Sequence, residues 1–138
     1  MNKLINESTV SVLCYPTTST GKSASTALFD MTNYRNVVFE TPLHRLPDGK
    51  GEGTASLQVY ESTASTWNGA VATAITNSVA SVSLTSASDQ LLQVEVKSQD
   101  MSVNNNKRYL NAYITLPTGV QICCTATKWG CRYEPQAT

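Results

Sequence analysis

An all-β domain is the fold class this sequence predicts, and three observations carry it. Apolar residues recur at a period of two in short runs rich in Val, Ile, Leu, Tyr and Thr. Clusters of Gly, Pro, Asn, Asp and Ser separate those runs, while a helical period is almost nowhere visible. The chain has 138 residues, which suits one domain able to bury an adequate core without compulsory staples. A two-layer β-sandwich of Greek-key or jelly-roll type is expected, with eight or nine strands in one domain over residues 1–138.

Each strand has its own signature. Thr9–Tyr15 (TVSVLCY) alternates Val10, Val12 and Cys14 onto one face, and Ser25–Phe29 is a short strand. Arg35–Glu40 (RNVVFE) sets Val37 and Phe39 together, with Val38 opposite. Thr41–Thr54 contains two Pro and three Gly, which block regular pairing, so a flexible loop is expected over 41–54. Ala55–Glu61 points Leu57 and Val59 inward, and Ser62–Gly69 reads as a turn around Trp67. Ala70–Thr76 and Ser78–Leu84 read as a hairpin about Asn77. Leu91–Lys97 points Leu92, Val94 and Val96 inward. Lys107–Leu116 does the same with Leu110, Ala112, Ile114 and Leu116. A Pro117–Gly119 turn leads to the last strand, Val120–Trp129, and residues 132–138 form a loose tail.

Charge narrows the function classes. Charged residues are 14 % of the chain, and ten Lys and Arg balance ten Asp and Glu. Nucleic-acid binding needs excess positive charge to displace counterions, so no nucleic-acid partner is expected. Low, balanced charge suits a protein packed against others. The N-terminal MNKLINESTVSV has one Lys and no apolar run, so neither a signal peptide nor a membrane span is expected.

Four cysteines invite a disulfide reading, but cytoplasmic thiols stay reduced. Cys14 and Cys124 read as small core residues and Cys123 as an outward one; whether any of Cys14, Cys123, Cys124 and Cys131 pair is left open. The C-terminal cysteines lack zinc-knuckle spacing, and His44 is the only histidine. No metal and no cofactor is expected.

Other motifs fail on their chemistry. Gly21-Lys22-Ser23 ends like a phosphate loop, but Pro16 stands where its first Gly belongs and no helix follows. Pro47–Glu52 has too few carboxylates for calcium and reads as an Asp-Gly turn. His44 sits near no nucleophile-elbow pattern, so no catalytic residues are expected and His44 reads as a contact residue.

Tyr60, Tyr109 and Tyr113 alternate away from the core. Together with His44 and Cys123 they are the candidate protein-contact residues, because interfaces are enriched in Tyr and depleted in Lys and Glu. Ordinary cross-strand tyrosine packing accounts for the same pattern. Asp30-Met31-Thr32 and Asp100-Met101-Ser102 read as structural corners. Asp30 is expected to accept hydrogen bonds from backbone two or three residues on, with Met31 and Tyr34 filling the turn and Asp100 a looser echo.

The order DMTNYRNVVFE, LQVYES, STWNGA, VEVKSQDM and KRYLNA resembles a group of small virion proteins of tailed bacteriophages, over roughly residues 25–116. Those proteins are encoded among head genes and are regarded as capsid-associated decoration (cement) proteins. The resemblance implies a β-sandwich made in the host cytoplasm and located on the virion's capsid surface. Its implied partner is the major capsid protein, with the chain itself a homo-oligomer, dimer or trimer. A neck, tail or head–tail joining component is the alternative. A carbohydrate- or host-surface-binding sandwich using Trp67 and Tyr60 is another.

Overall fold

The computed structural model describes residues 9–20, 24–25, 29–32, 34–45, 52–64, 66, 72–84, 89–101 and 108–131, with side chains from Asp30 to Gly130. The strand segments among them are β1 (Thr9–Thr20), β2 (Ala24–Ser25), β3 (Phe29–Asp30), β4 (Tyr34–Arg45), β5 (Gly53–Ser62), β6 (Thr73–Leu84), β7 (Asp89–Lys97), β8 (Tyr109–Thr115) and β9 (Thr118–Cys131). A single 3-10 turn, Ser98–Asp100, follows β7. The protein is all-β: β4, β7 and β9 form the body of one antiparallel sheet, and β5, β6 and β8 that of the other.

In full, the first sheet runs β1-β9-β4-β7 and the second β2-β8-β5-β6, with β3 also on β8. The chain therefore changes sheet at nearly every connection. Only β2 to β3 and β5 to β6 stay within one layer. Such crossing between two antiparallel sheets is that of a β-sandwich.

The core lies between the sheets because each strand alternates. Val37, Phe39, Thr41, Leu43 and Arg45 of β4 are buried. Of these, Val37, Phe39 and Leu43 meet Ala55, Leu57 and Val59 of β5 and Leu110, Ala112 and Ile114 of β8 in one cluster. Leu92, Val94 and Val96 of β7 and Val120, Ile122, Cys124 and Ala126 of β9 complete it. The inward sets read from the sequence for β5, β7 and β8 are those found.

Two expectations are corrected. The loop expected over 41–54 is shorter: Thr41–Arg45 continue β4, Gly53 and Thr54 begin β5, and residues 46–51 lie outside the described residues. Pro42 has no N–H to donate, yet it keeps its register with Leu91 of β7. The β9 ladder passes over it, from Glu40 opposite Thr125 to Leu43 opposite Ile122. The burial period carries through, with Leu43 in phase with Val37 and Phe39.

The hairpin expected about Asn77 is one strand. Both halves of β6 pair with β5, and the register jumps between Gln58 opposite Val79 and Tyr60 opposite Ala74. Asn77 takes a left-handed φ of 65°, a conformation asparagine tolerates better than most residues. The result is a bulge in which residues 75–78 of β6 stand against Val59 of β5.

The register of β1 against β9 shifts between Val12 and Cys14, and the facing of the β1 side chains lies outside the described residues. Pro16 sits at the next shift, between Cys14 and Thr17, on a sheet edge where proline costs no ladder bond. The tail 132–138, Trp67 and the stretch 102–107 lie outside the described residues.

Candidate interaction surfaces

The register of β4 decides the first surface. Its outward positions run Asn36, Val38, Glu40, Pro42 and His44, and those of β7 run Lys97 back to Asp89. His44 thus stands opposite Asp89 on one side and Gln121 of β9 on the other. The imidazole Nδ1 lies 2.5 Å from Asp89 Oδ1, with the two side chains 55 % and 82 % exposed. Around them a groove of about 400 Å³ is lined by Pro42, Leu43, Gln90, Gln121, Ile122 and Cys123. Leu91, opposite Pro42 in register, extends this apolar surface and is 53 % exposed.

Two contact candidates, His44 and Cys123, therefore share one groove. Cys123 is two residues along β9 from Gln121, so it is a diagonal neighbour of His44. Among the described residues no group of three or more His, Cys, Asp or Glu side chains is placed to hold a metal ion. What the groove offers is an apolar floor with a carboxylate–imidazole pair and amides at its rim. That combination suits docking of another protein segment.

The tyrosines lie elsewhere. Tyr60 and Tyr113 are half-buried on the outer side of the second sheet, diagonal across β5 and β8. Their rings meet edge to face, 6.1 Å between centroids at 77°, the geometry aromatic quadrupoles favour. Tyr109 lies under the Arg108 guanidinium, 4.9 Å from its ring centroid. Much of each ring is thus engaged within the chain, as cross-strand packing would have it.

At the Asp30 corner, β3 lies against β8 with Asp30 opposite Tyr109. Asp30 Oδ1 accepts from the Thr32 N–H at 2.9 Å and the Thr32 hydroxyl at 2.6 Å, closing a local turn. The same carboxylate takes a forked pair from Arg108: Nε to Oδ1 at 3.2 Å and Nη2 to Oδ2 at 2.6 Å. Met31 N–H donates to the Arg108 carbonyl at 2.9 Å, and its side chain is buried in the core. Lys128 of β9 sits over the Tyr34 ring at 4.2 Å and donates to the Asp30 carbonyl at 3.4 Å. The corner therefore joins the two sheets.

Asp100 uses its carboxylate differently. Its Oδ2 accepts from the Lys97 N–H at 2.9 Å, reaching back along the chain to close the 3-10 turn. Met101, like Met31, is buried. The two Asp-Met stretches share a core-plugging methionine, not a backbone geometry.

Sequence reasoning did not single out Arg108, Lys128, Asp89 or Leu91 as members of these sites. Arg108 is 78 residues from Asp30, and only strand pairing brings it there. The one available signal was the Lys-Arg pair before the Tyr109 strand.

The Arg108 fork holds Asp30 well below the usual carboxylate range, from 3.8 to about 2, against burial, which pushes the other way. It lifts Arg108 in turn. A carboxylate depressed on folding adds stability that is full above the unfolded pKa and fades as pH falls through the folded one. The window is therefore pH 3.8 down to about 2. Asp30 is 41 % exposed, so solvent screening leaves about 0.5–1 kcal/mol. Asp30→Asn should lose that amount at pH 6 and nothing at the acid end of the window, read by urea unfolding at both pH values. Equal losses at both would assign the effect to the turn, not the ion pair.

No protein-family model matches the sequence, and no curated protein does. Solved structures match by fold. The SPBc2 prophage-derived protein YomS aligns at TM-score 0.51 and 9 % identity, over 90 % of this chain and 94 % of its own. The PBSX exported protein XepA aligns at 0.51 and 14 %, over 94 % of this chain and 39 % of its own. A chain of infectious bursal disease virus Gx strain aligns at 0.53 and 10 %, over 91 % and 33 %. At such identities the likeness is one of fold. This chain spans nearly all of the first protein and about a third of the other two.

Proposed function

We propose that this chain is a non-enzymatic structural protein of a bacteriophage virion, and within the virion a decoration (cement) protein bound to the outside of the assembled head. The observation that carries the reading is the sandwich shared along nearly the full length of a phage-derived chain. A second phage-derived protein and a virus chain share the fold over part of their lengths. The sequence resemblance over roughly residues 25–116 points the same way. Balanced charge and a groove with an apolar floor suit close packing on a lattice.

In this reading the partner is the major capsid protein, and the contact face is the His44–Asp89 groove with Leu91 and Cys123. A ligand that binds only the assembled lattice stabilises that lattice by mass action. Homo-oligomers, dimers or trimers, multiply a modest contact through avidity.

The test is co-sedimentation with expanded, emptied heads of the phage that encodes the chain. Wild-type protein should bind, and Leu91→Glu, at an exposed position, should weaken binding about tenfold, or 1.4 kcal/mol. If Leu91→Glu binds normally and Tyr113→Ala does not, the contact face is the tyrosine one. If wild type fails to bind heads, the decoration reading falls. Roughly hundreds of copies per particle fit a shell site, while about six or twelve fit a ring at the neck or tail.

A further inference from the structure

We propose that two copies of this chain join through β7, edge to edge and antiparallel about a two-fold axis at Gln93, into one continuous sheet. The first observation is the state of that edge. Among the described residues β7 pairs with β4 alone and ends its sheet. Its pairing runs unbroken through nine residues, from Asn36 opposite Lys97 to His44 opposite Asp89. The edges elsewhere are interrupted: β1 by register shifts and β6 by the bulge at Asn77. Proteins blunt exposed edges with such breaks, with proline or with inward-pointing charges. β7, DQLLQVEVK, has no Pro, no Gly and no shift, and its inward row is Leu92, Val94 and Val96. An edge of this kind offers its main-chain donors and acceptors to another strand.

The outward row says which strand. It reads Asp89, Leu91, Gln93, Glu95 and Lys97, all exposed. Charges on an edge also deter pairing, so their placement selects the occupant. Opposed residues of an antiparallel pair point to the same face, so a two-fold copy sets outward residues against outward ones. Centred on Gln93, Asp89 meets Lys97 of the second copy, and Lys97 meets its Asp89. Gln93 then faces Gln93, and Leu91 faces Glu95. Centred on Leu92 instead, Asp89 faces Glu95, a like-charge pair, and Lys97 falls beyond the strand. Centred on Val94, Lys97 faces Leu91 and Asp89 falls beyond the strand. Opposite charges directly across a ladder favour pairing and like charges oppose it. The strand is therefore complementary to itself in one register, as an isologous interface requires. The inner rows agree, because Leu92 faces Val94 and the apolar layer of one copy runs on into the other.

The junction reaches the His44 groove. Across the joined sheet His44, Asp89 and Lys97 of the second copy stand in one row. Asp89 holds the imidazole on one side and meets an ammonium group on the other. A dimer so built presents the groove twice at a fixed spacing, which is how a modest contact gains avidity. The inference does not rest on the head as partner. The dimer is read on purified chain and head binding on heads, so either can fail without the other.

The test is sedimentation velocity on the full chain over a concentration series. Wild type should approach twice the chain mass of 14.9 kDa. Asp89→Lys and Lys97→Glu each set like charges together at both ends of the junction, and each should raise the dimer dissociation constant about tenfold. Both positions are exposed, and urea unfolding should find the fold of each variant intact. Combined in one chain, the two substitutions restore opposite charges, and the double variant should dimerise as wild type does. Oxidised Gln93→Cys should give a dimer linked through position 93 of both copies. The two-fold sets that residue against itself, within the about 4.4–6.8 Å between Cα atoms that a disulfide spans. Leu91→Cys faces Glu95 rather than itself and should give no such link. A wild type that stays monomeric throughout, a double variant no better than the single ones, or a Gln93→Cys link to any other position would overturn the proposal.

Discussion

Phe39→Ala lowers the unfolding free energy by about 3–5 kcal/mol, the largest loss expected of any single truncation in this chain. Phe39 is completely buried. It lies near the middle of β4, a strand with partners on both sides, opposite Val94 of β7 and Ala126 of β9. Ala126 is small and also buried, so the ring fills space that its ladder partner leaves. Neither neighbour can grow into the gap when the ring is removed. The loss therefore combines lost transfer energy with an uncollapsed cavity.

Small domains carry about 5–15 kcal/mol in total, so roughly a fifth or more of the stability goes with this one ring. Val38→Ala is the control. Val38 is half-buried on the opposite side of the same strand, and its loss should stay near 1 kcal/mol or below. Urea unfolding of the two variants checks this. A Phe39→Ala loss no greater than that of Val38→Ala would mean the layers close over the gap and are less firmly packed than the burial implies.

How much of this was legible in the sequence depended on whether a signal was local. The inward faces of β5, β7 and β8 follow from alternation alone, because a strand's period is written in its own residues. So was the division of Cys123 from Cys124. Alternation failed where the backbone departs from strict period two. Leu43 kept phase with Phe39, but Pro42 and Pro47 made the segment read as a loop. Asn77 looked like a hairpin tip because an asparagine at positive φ serves both hairpins and bulges.

The interaction surfaces were less legible still. The groove exists because β4 sits between β9 and β7 in one register, which places Asp89 beside His44 and Cys123 one step along. Nothing near Asp89 in the chain announces this. The Asp30 turn was readable from Asp30 and Thr32, two residues apart. Its link to Arg108 and Lys128 needed the sheet order, a property of the whole chain.

Gln58→Leu should destabilise the protein by about 1–3 kcal/mol, the cost of leaving buried carbonyls without a donor. The side-chain amide of Gln58 faces the bulge in β6. Its Nε2 donates toward the carbonyls of Val59 at 2.9 Å, Ile75 at 3.1 Å and Ser78 at 3.2 Å. An amide has two N–H groups, so three acceptors share them. The ladder cannot serve Ile75 and Ser78, because the register skips from Val79 to Ala74. Both residues are buried, so water is a poor substitute. Leucine keeps most of the volume and removes the donors, which isolates the hydrogen bonds from packing. Gln58→Glu should be worse at neutral pH, since a carboxylate would face three carbonyl oxygens. Asn77→Gly should be close to neutral and Asn77→Ala costly, because the left-handed φ suits glycine and not alanine. The damage should also be local. β6 is the edge of its sheet, so amide exchange in Gln58→Leu should quicken in β6 before it does in β4 or β9. The bulge bends that edge and blunts it as a template for another chain, with Val79 exposed beside it. If Gln58→Leu unfolds with the wild type and β6 exchanges no faster, the bulge stands on its backbone alone and the amide is incidental to it.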